Sequence, residues 1–308
     1  MMPAFLEAMR PHQWVKNLLV LAPLLFTTRD KVGLQIDHFR DGASWTAALL
    51  AFATFCLAAS AIYLLNDLVD RDEDAHHPKK RNRPIASGRL SVGAAKATLA
   101  CTLLAGAWCG WLVHSPEAKV PFLVWPAAYL LLNLAYSFWL KRVVVVDCMC
   151  IALGFQLRVQ AGAAAIGVAA SHWLLLCTFF FSLFLAFCKR YEEVERQTEA
   201  TGRTRATMED YSLAFLSMMI GPLAALSILS YSLYTVSEET IKKHGDDRLM
   251  YTVPIVVYGV FRYLFLVYRK SEGGDPARLL VRDAPLVLSG VAYAALVVVL
   301  LRVLPTAV

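Results

Sequence analysis

Charge is scarce in this sequence. Only 18% of its 308 residues are Asp, Glu, Lys or Arg, and 58% are hydrophobic. A soluble globular domain carries more charge than that. Short alternating apolar segments are lacking as well, which argues against a membrane β-barrel. The seven cysteines, Cys56, Cys101, Cys109, Cys148, Cys150, Cys177 and Cys188, form no CxxC pair, and no histidine stands near them at ligand spacing. They read as small core residues, not as disulfides or a zinc site. The first apolar run lacks a small-residue cleavage site, so it reads as a retained segment rather than a signal peptide.

What is present is a series of apolar runs long enough to cross a hydrocarbon core, and lipid forces such runs to be helices. Nine spans are expected: Leu18–Phe26 with its flanks, Trp45–Leu65, Val92–Val113, Phe122–Leu140, Val143–Gly167, Trp173–Phe187, Leu213–Tyr234, Tyr251–Tyr268 and Ala284–Leu301. Lys16 and Asn17 sit at the mouth of the first, so eight spans plus one interfacial helix is the alternative. The fold class is therefore an all-α integral membrane bundle of about nine helices.

The net charge of +6 is unevenly spread. With nine spans, about 19 basic residues fall on the side of the N-terminus and about seven on the other, which puts the richer side in the cytoplasm. Interspersed acids and the membrane setting make nucleic acid an unsuitable partner for these loops.

The stretch NDLVDRDEDAHHPKKRNRP, starting at Asn66, carries the densest charge. Asn66, Asp70 and Asp74 are spaced i, i+4, i+8, and Asp67 joins their face through Asp74, so a helix would align them in one stripe. Alone, such a stripe repels itself. Oxygen ligands of this kind suit Mg²⁺, which shares its shell with water and substrate phosphate. The structural alternative is a solvated helix end, and Asp72 and Glu73 fit that description. Acids at the end of an apolar span are functional candidates. Lys79, Lys80, Arg81 and Arg83 follow. Pro84 biases Arg83 away from helix, so Arg81 and Arg83 are expected on one side of an extended segment, where both would grip phosphate as forks. The plainer reading of the lysines is a topology signal.

A second charged stretch, FCKRYEEVERQ, opens where the sixth span ends. Lys189 and Glu193 stand at i, i+4, so a helix ion pair competes with a role, together with Arg190, in gripping a substrate opposite the aspartates. Glu195 to Arg205 read as solvated loop. Within the fifth span, Asp147 and Arg158 lie on nearly the same face, and an Arg there needs a cavity or a partner.

NDLVDRDEDAHHPKKRNRPIASGRLS resembles the first aspartate-rich motif, N-D-x-x-D-x-x-x-D, of the UbiA superfamily of intramembrane prenyltransferases, and R-P-I-A-S-G is similar to its continuation. The resemblance implies one UbiA-like transmembrane domain over residues 1–308. It departs at KRYEEVE, where typical members carry a second D-x-x-x-D. With RPHQWVKNLLVLAPLLF and YSFWLKRVVVVDCMCIALGFQLRVQAGAAAIG, the sequence looks like the branch typified by decaprenyl-phosphate phosphoribosyltransferase. That resemblance implies Mg²⁺-dependent transfer from 5-phosphoribosyl 1-diphosphate to a polyprenyl phosphate in a bacterial cytoplasmic membrane, with arabinan precursors as the best-known product and trimers as the expected assembly. A UbiA aromatic prenyltransferase using a prenyl diphosphate is the alternative, and a lipid-binding or transport protein is a further rival.

On this view Asn66, Asp67, Asp70 and Asp74 hold the metal. Arg81, Arg83, Lys189, Arg190 and Glu193 hold the donor. Lys16, Asn17, Lys141 and Arg158 meet the lipid phosphate, and Asp147 orients one of these cations. Asp67, Asp70, Asp74 and Arg158 are the expected catalytic set.

Overall fold

The computed structural model describes residues 2–26, 28–31, 34–76, 80–113, 118, 120–199, 210–244, 246–270, 279 and 282–303. It divides into two compact units, Met1–Phe138 with Leu157–Ala170, and Trp139–Gln156 with Ser171–Val308.

The first unit is built on α3 (Gly42–Val69). This helix is apolar over most of its length and rich in Ala and Leu, the strongest helix formers. Asp41 caps its start by accepting from the Ala43 and Ser44 amides. The helices α1 (Ala4–Met9), α5 (Val92–Trp111) and α6 (Val124–Phe138) pack against it. The first expected span is not one α-helix. Pro11–Leu21 is a 3-10 helix, followed by α2 (Ala22–Phe26). An 11-residue 3-10 run is long for that conformation. Its narrow backbone passes directly against Gly162. A Cβ there would lie 2.8 Å from the Val20 carbonyl carbon and closer still to its oxygen. Apolar periodicity alone does not separate this geometry from an α-helix.

The chain is also not wholly helical. Strands β1 (Thr28–Lys31) and β2 (Leu34–Asp37) form a short antiparallel hairpin pairing Thr28 with Asp37 and Lys31 with Leu34. Beyond α3 comes the short helix α4 (Arg71–His76). The junction at Asp70 keeps helix-like bonds, Asp70 N–H to Asn66 O and Asp74 N–H to Asp70 O, both 2.8 Å.

In the second unit α8 (His172–Glu199) lies along α9 (Leu213–Val236). The short α10 (Glu238–His244) follows, and α11 (Val253–Lys270) then packs on α9 and on α12 (Ala284–Val298). Phe184, Leu216, Ile220, Tyr263 and Leu266 form the centre of its core. The helix α8 runs on through Glu199, so residues 195–199, expected in a loop, are helical. Arg203 and Arg205 lie outside the described residues.

The helix α7 (Val146–Ala165) gives its first half to the second unit and its second half to the first. Seven helices among the described residues are long and apolar enough to cross a membrane, and the 15-residue α6 is a shorter apolar helix. The chain is a multi-pass helical membrane protein. Of the cysteines, all free, Cys56, Cys148, Cys150 and Cys188 are buried as expected, while Cys101 is exposed on α5.

Candidate functional site

Three clusters of polar side chains interrupt the apolar helices. The first stands at the end of α3 and holds most of the aspartate motif. Asp67 and Asp74 are buried, Asn66 and Asp70 half-buried, and Asp72 and Glu73 exposed. Arg83 bridges the buried pair, its Nη1 standing 3.0 Å from Asp67 Oδ1 and 2.5 Å from Asp74 Oδ2. Arg10 Nη2 donates to the same Asp67 oxygen at 2.6 Å, and Lys80 Nζ lies 3.5 Å from Asp74 Oδ1. The cluster is thus a carboxylate–guanidinium network reaching from the N-terminal arm to the RNRP turn.

The chain between Arg83 and Leu90 is shaped to present that arginine. Leu90 N–H closes on Pro84 O at 2.8 Å, and Gly88 takes a φ of 75°, which glycine adopts without steric cost. Ile85 and Leu90 are buried with Ala8, Met9 and Leu64. Outside, Arg89 forks onto Glu7 at 2.7 and 2.8 Å and bonds Asn82 O. This pairing holds the Glu7 carboxyl below its usual range.

Three expectations change here. Lys80–Asn82 is a 3-10 turn, not an extended segment. Arg83 turns inward while Arg81 is exposed, so the two do not act as a matched pair of forks. Among the described residues, no three His, Cys, Asp or Glu side chains converge as a metal-binding group. Arg83 instead occupies the position between the two buried carboxylates. Lys79 lies outside the described residues.

A divalent metal still fits this donor set in a limited way. Asp67 Oδ2 is buried and, among the described residues, has no hydrogen-bond partner, since both arginines bind Oδ1. Mg²⁺ commonly takes one or two protein carboxylates and completes its shell with water and substrate phosphate, so a full cage is not needed.

The second cluster lies deeper in the same unit. Arg158, on the half of α7 belonging to this unit, donates from Nε to Asn17 Oδ1 at 2.7 Å and from Nη2 to Tyr129 OH at 3.0 Å. Asn17 also donates to Cys56 Sγ at 3.3 Å, and Trp14 Nε1 bonds Ser60 Oγ at 3.0 Å. Asn17, expected at the membrane edge, is fully buried within the protein. The 3-10 segment turns it inward, and Gly162 lets that segment approach. Lys16 on the same segment is half-buried.

The third cluster is in the second unit, at the start of α7. Asp147 and Arg190 are both buried, and Arg190 Nε donates to Asp147 Oδ2 at 2.5 Å. Arg190 Nη1 also reaches Glu193, whose other oxygen is 3.8 Å from Lys189 Nζ, so the expected i, i+4 pair is present. Tyr211 OH donates to Asp147 Oδ1 at 2.7 Å and accepts from Val145 N–H at 2.7 Å. Burial, with Cys148 and Asp147 close by, pushes the Tyr211 hydroxyl well above the ordinary phenol range and keeps it a donor. Asp147 and Arg158 share a face of α7 but do not pair with each other, and Asp147 orients Arg190. Lys141 sits half-buried in the 3-10 turn Leu140–Arg142.

Sequence reasoning did not find Arg10, Tyr129 or Tyr211. Arg10 carried a faint signal, as a cation in the polar RPHQWVKN stretch. The tyrosines carried none: Tyr211, just before an apolar run, reads as an interface anchor, and Tyr129, inside one, reads as an ordinary packing residue.

The sequence matches the UbiA prenyltransferase family over residues 38–282. It is 32% identical over 306 residues to the decaprenyl-phosphate phosphoribosyltransferase of Corynebacterium glutamicum, covering 97% of this chain and 87% of that one. Identity to the Mycobacterium tuberculosis enzyme of the same name is 33%, covering 94% and 92%. Among solved structures, a UbiA homolog from Archaeoglobus fulgidus bound to GPP and Mg²⁺ superposes with a TM-score of 0.68 at 18% identity, covering 96% of each chain. By family match, full-length relatives and fold together, the chain belongs to the UbiA prenyltransferase family.

Proposed function

We propose that the chain transfers 5-phosphoribosyl from 5-phosphoribosyl 1-diphosphate to a membrane polyprenyl phosphate such as decaprenyl phosphate. The similarity to phosphoribosyltransferases over nearly its whole length supports this. The observation that carries it is the chemistry at KRYEEVE. Where the typical prenyltransferase has a second pair of aspartates, this chain has Arg190, buried and oriented by Asp147. Replacing acids by a fixed guanidinium suits a reaction whose two substrates both bring phosphate.

The reaction needs no protein nucleophile. A phosphate oxygen of the lipid attacks the anomeric carbon, the C1–O bond to diphosphate breaks, and the diphosphate leaves with the bonding electrons. Charge builds on the leaving group and on an oxocarbenium-like ring, so catalysis is positioning and electrostatics. Asp67, Asp70 and Asp74, with Asn66, are the proposed holders of Mg²⁺, which would neutralise the departing diphosphate. Arg83 and Arg81 receive donor phosphate. Lys189 and Arg190 supply further cations for phosphate, and Glu193 stands near them for ribose hydroxyls. Lys16, Asn17, Lys141 and Arg158 serve the lipid phosphate. The excess of basic residues in the loops on one side supports a cytoplasmic site on a bacterial membrane as part of this proposal.

Purified protein given 5-phosphoribosyl 1-diphosphate, Mg²⁺ and a polyprenyl phosphate should release diphosphate and form a phosphoribosylated lipid. Turnover only with a prenyl diphosphate and an aromatic acid would identify an aromatic prenyltransferase instead.

A further inference from the structure

Val145 has a φ of 70°. A β-branched residue in the left-handed region is a true outlier, and it persists only where its surroundings over-determine it. The surroundings are visible. Its amide is held by Tyr211 OH at 2.7 Å, and its carbonyl accepts the Met149 amide at 2.9 Å as α7 begins. The strained residue therefore starts the helix, with Asp147 in the first turn.

Tyr211 is itself fixed. Its ring is buried and packs 6.1 Å from Phe215. The next residue, Ser212, caps α9 by accepting from the Phe215 amide at 3.1 Å. Its single hydroxyl thus ties the rigid start of α9 to the strained start of α7. The same hydroxyl donates to Asp147 Oδ1, while Asp147 Oδ2 takes Arg190. Both oxygens of the carboxylate are thereby assigned, and the plane of the carboxylate, with the guanidinium on it, has one orientation.

We infer that Tyr211 is a positioning residue for phosphate binding: its hydroxyl clamps the strained Val145 turn and orients Asp147, and Asp147 in turn aims Arg190. The inference rests on the proposed role of Arg190 in holding substrate phosphate. It predicts two separable effects of one oxygen atom, one on the backbone and one on the carboxylate.

Tyr211→Phe keeps the ring and removes the oxygen. The purified variant should melt below wild type, and its KM for 5-phosphoribosyl 1-diphosphate should rise about tenfold with kcat within about twofold, the loss of one hydrogen bond to a charged group. Val145→Gly relieves the turn, because glycine takes this φ freely. The double variant Val145→Gly/Tyr211→Phe should recover the melting temperature but keep the raised KM, since Asp147 still lacks its donor. The double variant also supplies the measurement if Tyr211→Phe alone does not fold. A wild-type KM in Tyr211→Phe, or a KM that returns to normal along with stability in the double variant, would overturn the inference. So would a double variant that melts no higher than Tyr211→Phe. A wild-type protein with no phosphoribosyl transfer sinks the proposed function instead, and the melting comparison still decides the Val145 clamp.

Discussion

Arg83 offers a direct test of the aspartate cluster. Its Nη1 is the bridge between Asp67 and Asp74, both nearly inaccessible. Removing one partner from a buried ion pair costs about 3–5 kcal/mol, because the other charge is left uncompensated. Two features reduce that figure here. The Arg83 side chain is 27% exposed, and Asp67 keeps Arg10 at 2.6 Å while Asp74 keeps Lys80 at 3.5 Å. The expected loss for Arg83→Gln is therefore about 2 kcal/mol. In a chain of this size that corresponds to a fall of about 3 °C in the metal-free melting temperature. The sign of the metal effect then follows. With the guanidinium gone, two buried carboxylates face each other with less counter-charge, so a divalent cation binds them more favourably. Millimolar Mg²⁺ should restore much of the lost stability in Arg83→Gln and raise the wild type by less. Thermal unfolding in detergent with and without Mg²⁺ reads both effects. A melting temperature unchanged by the substitution would refute the bridge. An equal Mg²⁺ response in variant and wild type would refute the view that these carboxylates form a cation site.

Other expectations follow from the same geometry. Asp70 is half-buried, and its side chain makes no hydrogen bond among the described residues. Asp70→Asn should leave the melting temperature unchanged while lowering kcat by about 100-fold or more, as loss of a metal ligand does, and a near-normal kcat would remove Asp70 from the site. Gly162→Ala pushes a methyl group into the Val20 backbone. It should cost about 2–3 kcal/mol by overpacking, and it should raise the KM for polyprenyl phosphate because the displaced segment carries Asn17; a variant as stable as wild type would show that the 3-10 segment packs differently. Arg158→Lys keeps the charge but loses the fork joining Asn17 and Tyr129. It should raise the KM for polyprenyl phosphate about tenfold without changing that for the sugar donor, and the reverse pattern would move Arg158 to the donor.

The parts legible in the sequence are those set by local spacing. The stripe of Asn66, Asp70 and Asp74 survives the break at Asp70 because the helix-like bonds continue across it. Asp72 and Glu73 fall on the exposed side, as a 3.6-residue period requires. The parts that were not legible depend on contacts between distant segments. Nothing local announces that Arg10 reaches Asp67 or that Tyr211 reaches Val145. The Asp147–Arg158 face was read correctly as a face, but each side chain found its partner on another element. The N-terminal run misled for a different reason. An apolar segment shows that it avoids water, not whether its hydrogen bonds close at three or four residues. The close approach of this run is made possible by Gly162, far along the chain, whose missing side chain admits the Val20 backbone.

Two of the buried aspartates, Asp147 and Asp67, differ in a way that separates ligand from support. Asp147 has both oxygens engaged, one by Arg190 and one by Tyr211. Each of its oxygens is already turned to a protein donor, and its effect passes through the guanidinium it holds. Asp67 receives two arginines on one oxygen and leaves the other buried without a hydrogen-bond partner among the described residues. Burying a bare carboxylate oxygen is costly, and such a cost is kept where something else completes the site. The same pair of residue types, Asp with Arg, thus builds a finished unit at α7 and an open one at the end of α3. The open one lies in the motif that the proposed function assigns to the departing diphosphate, and the finished one sits where this chain departs from the prenyltransferase pattern.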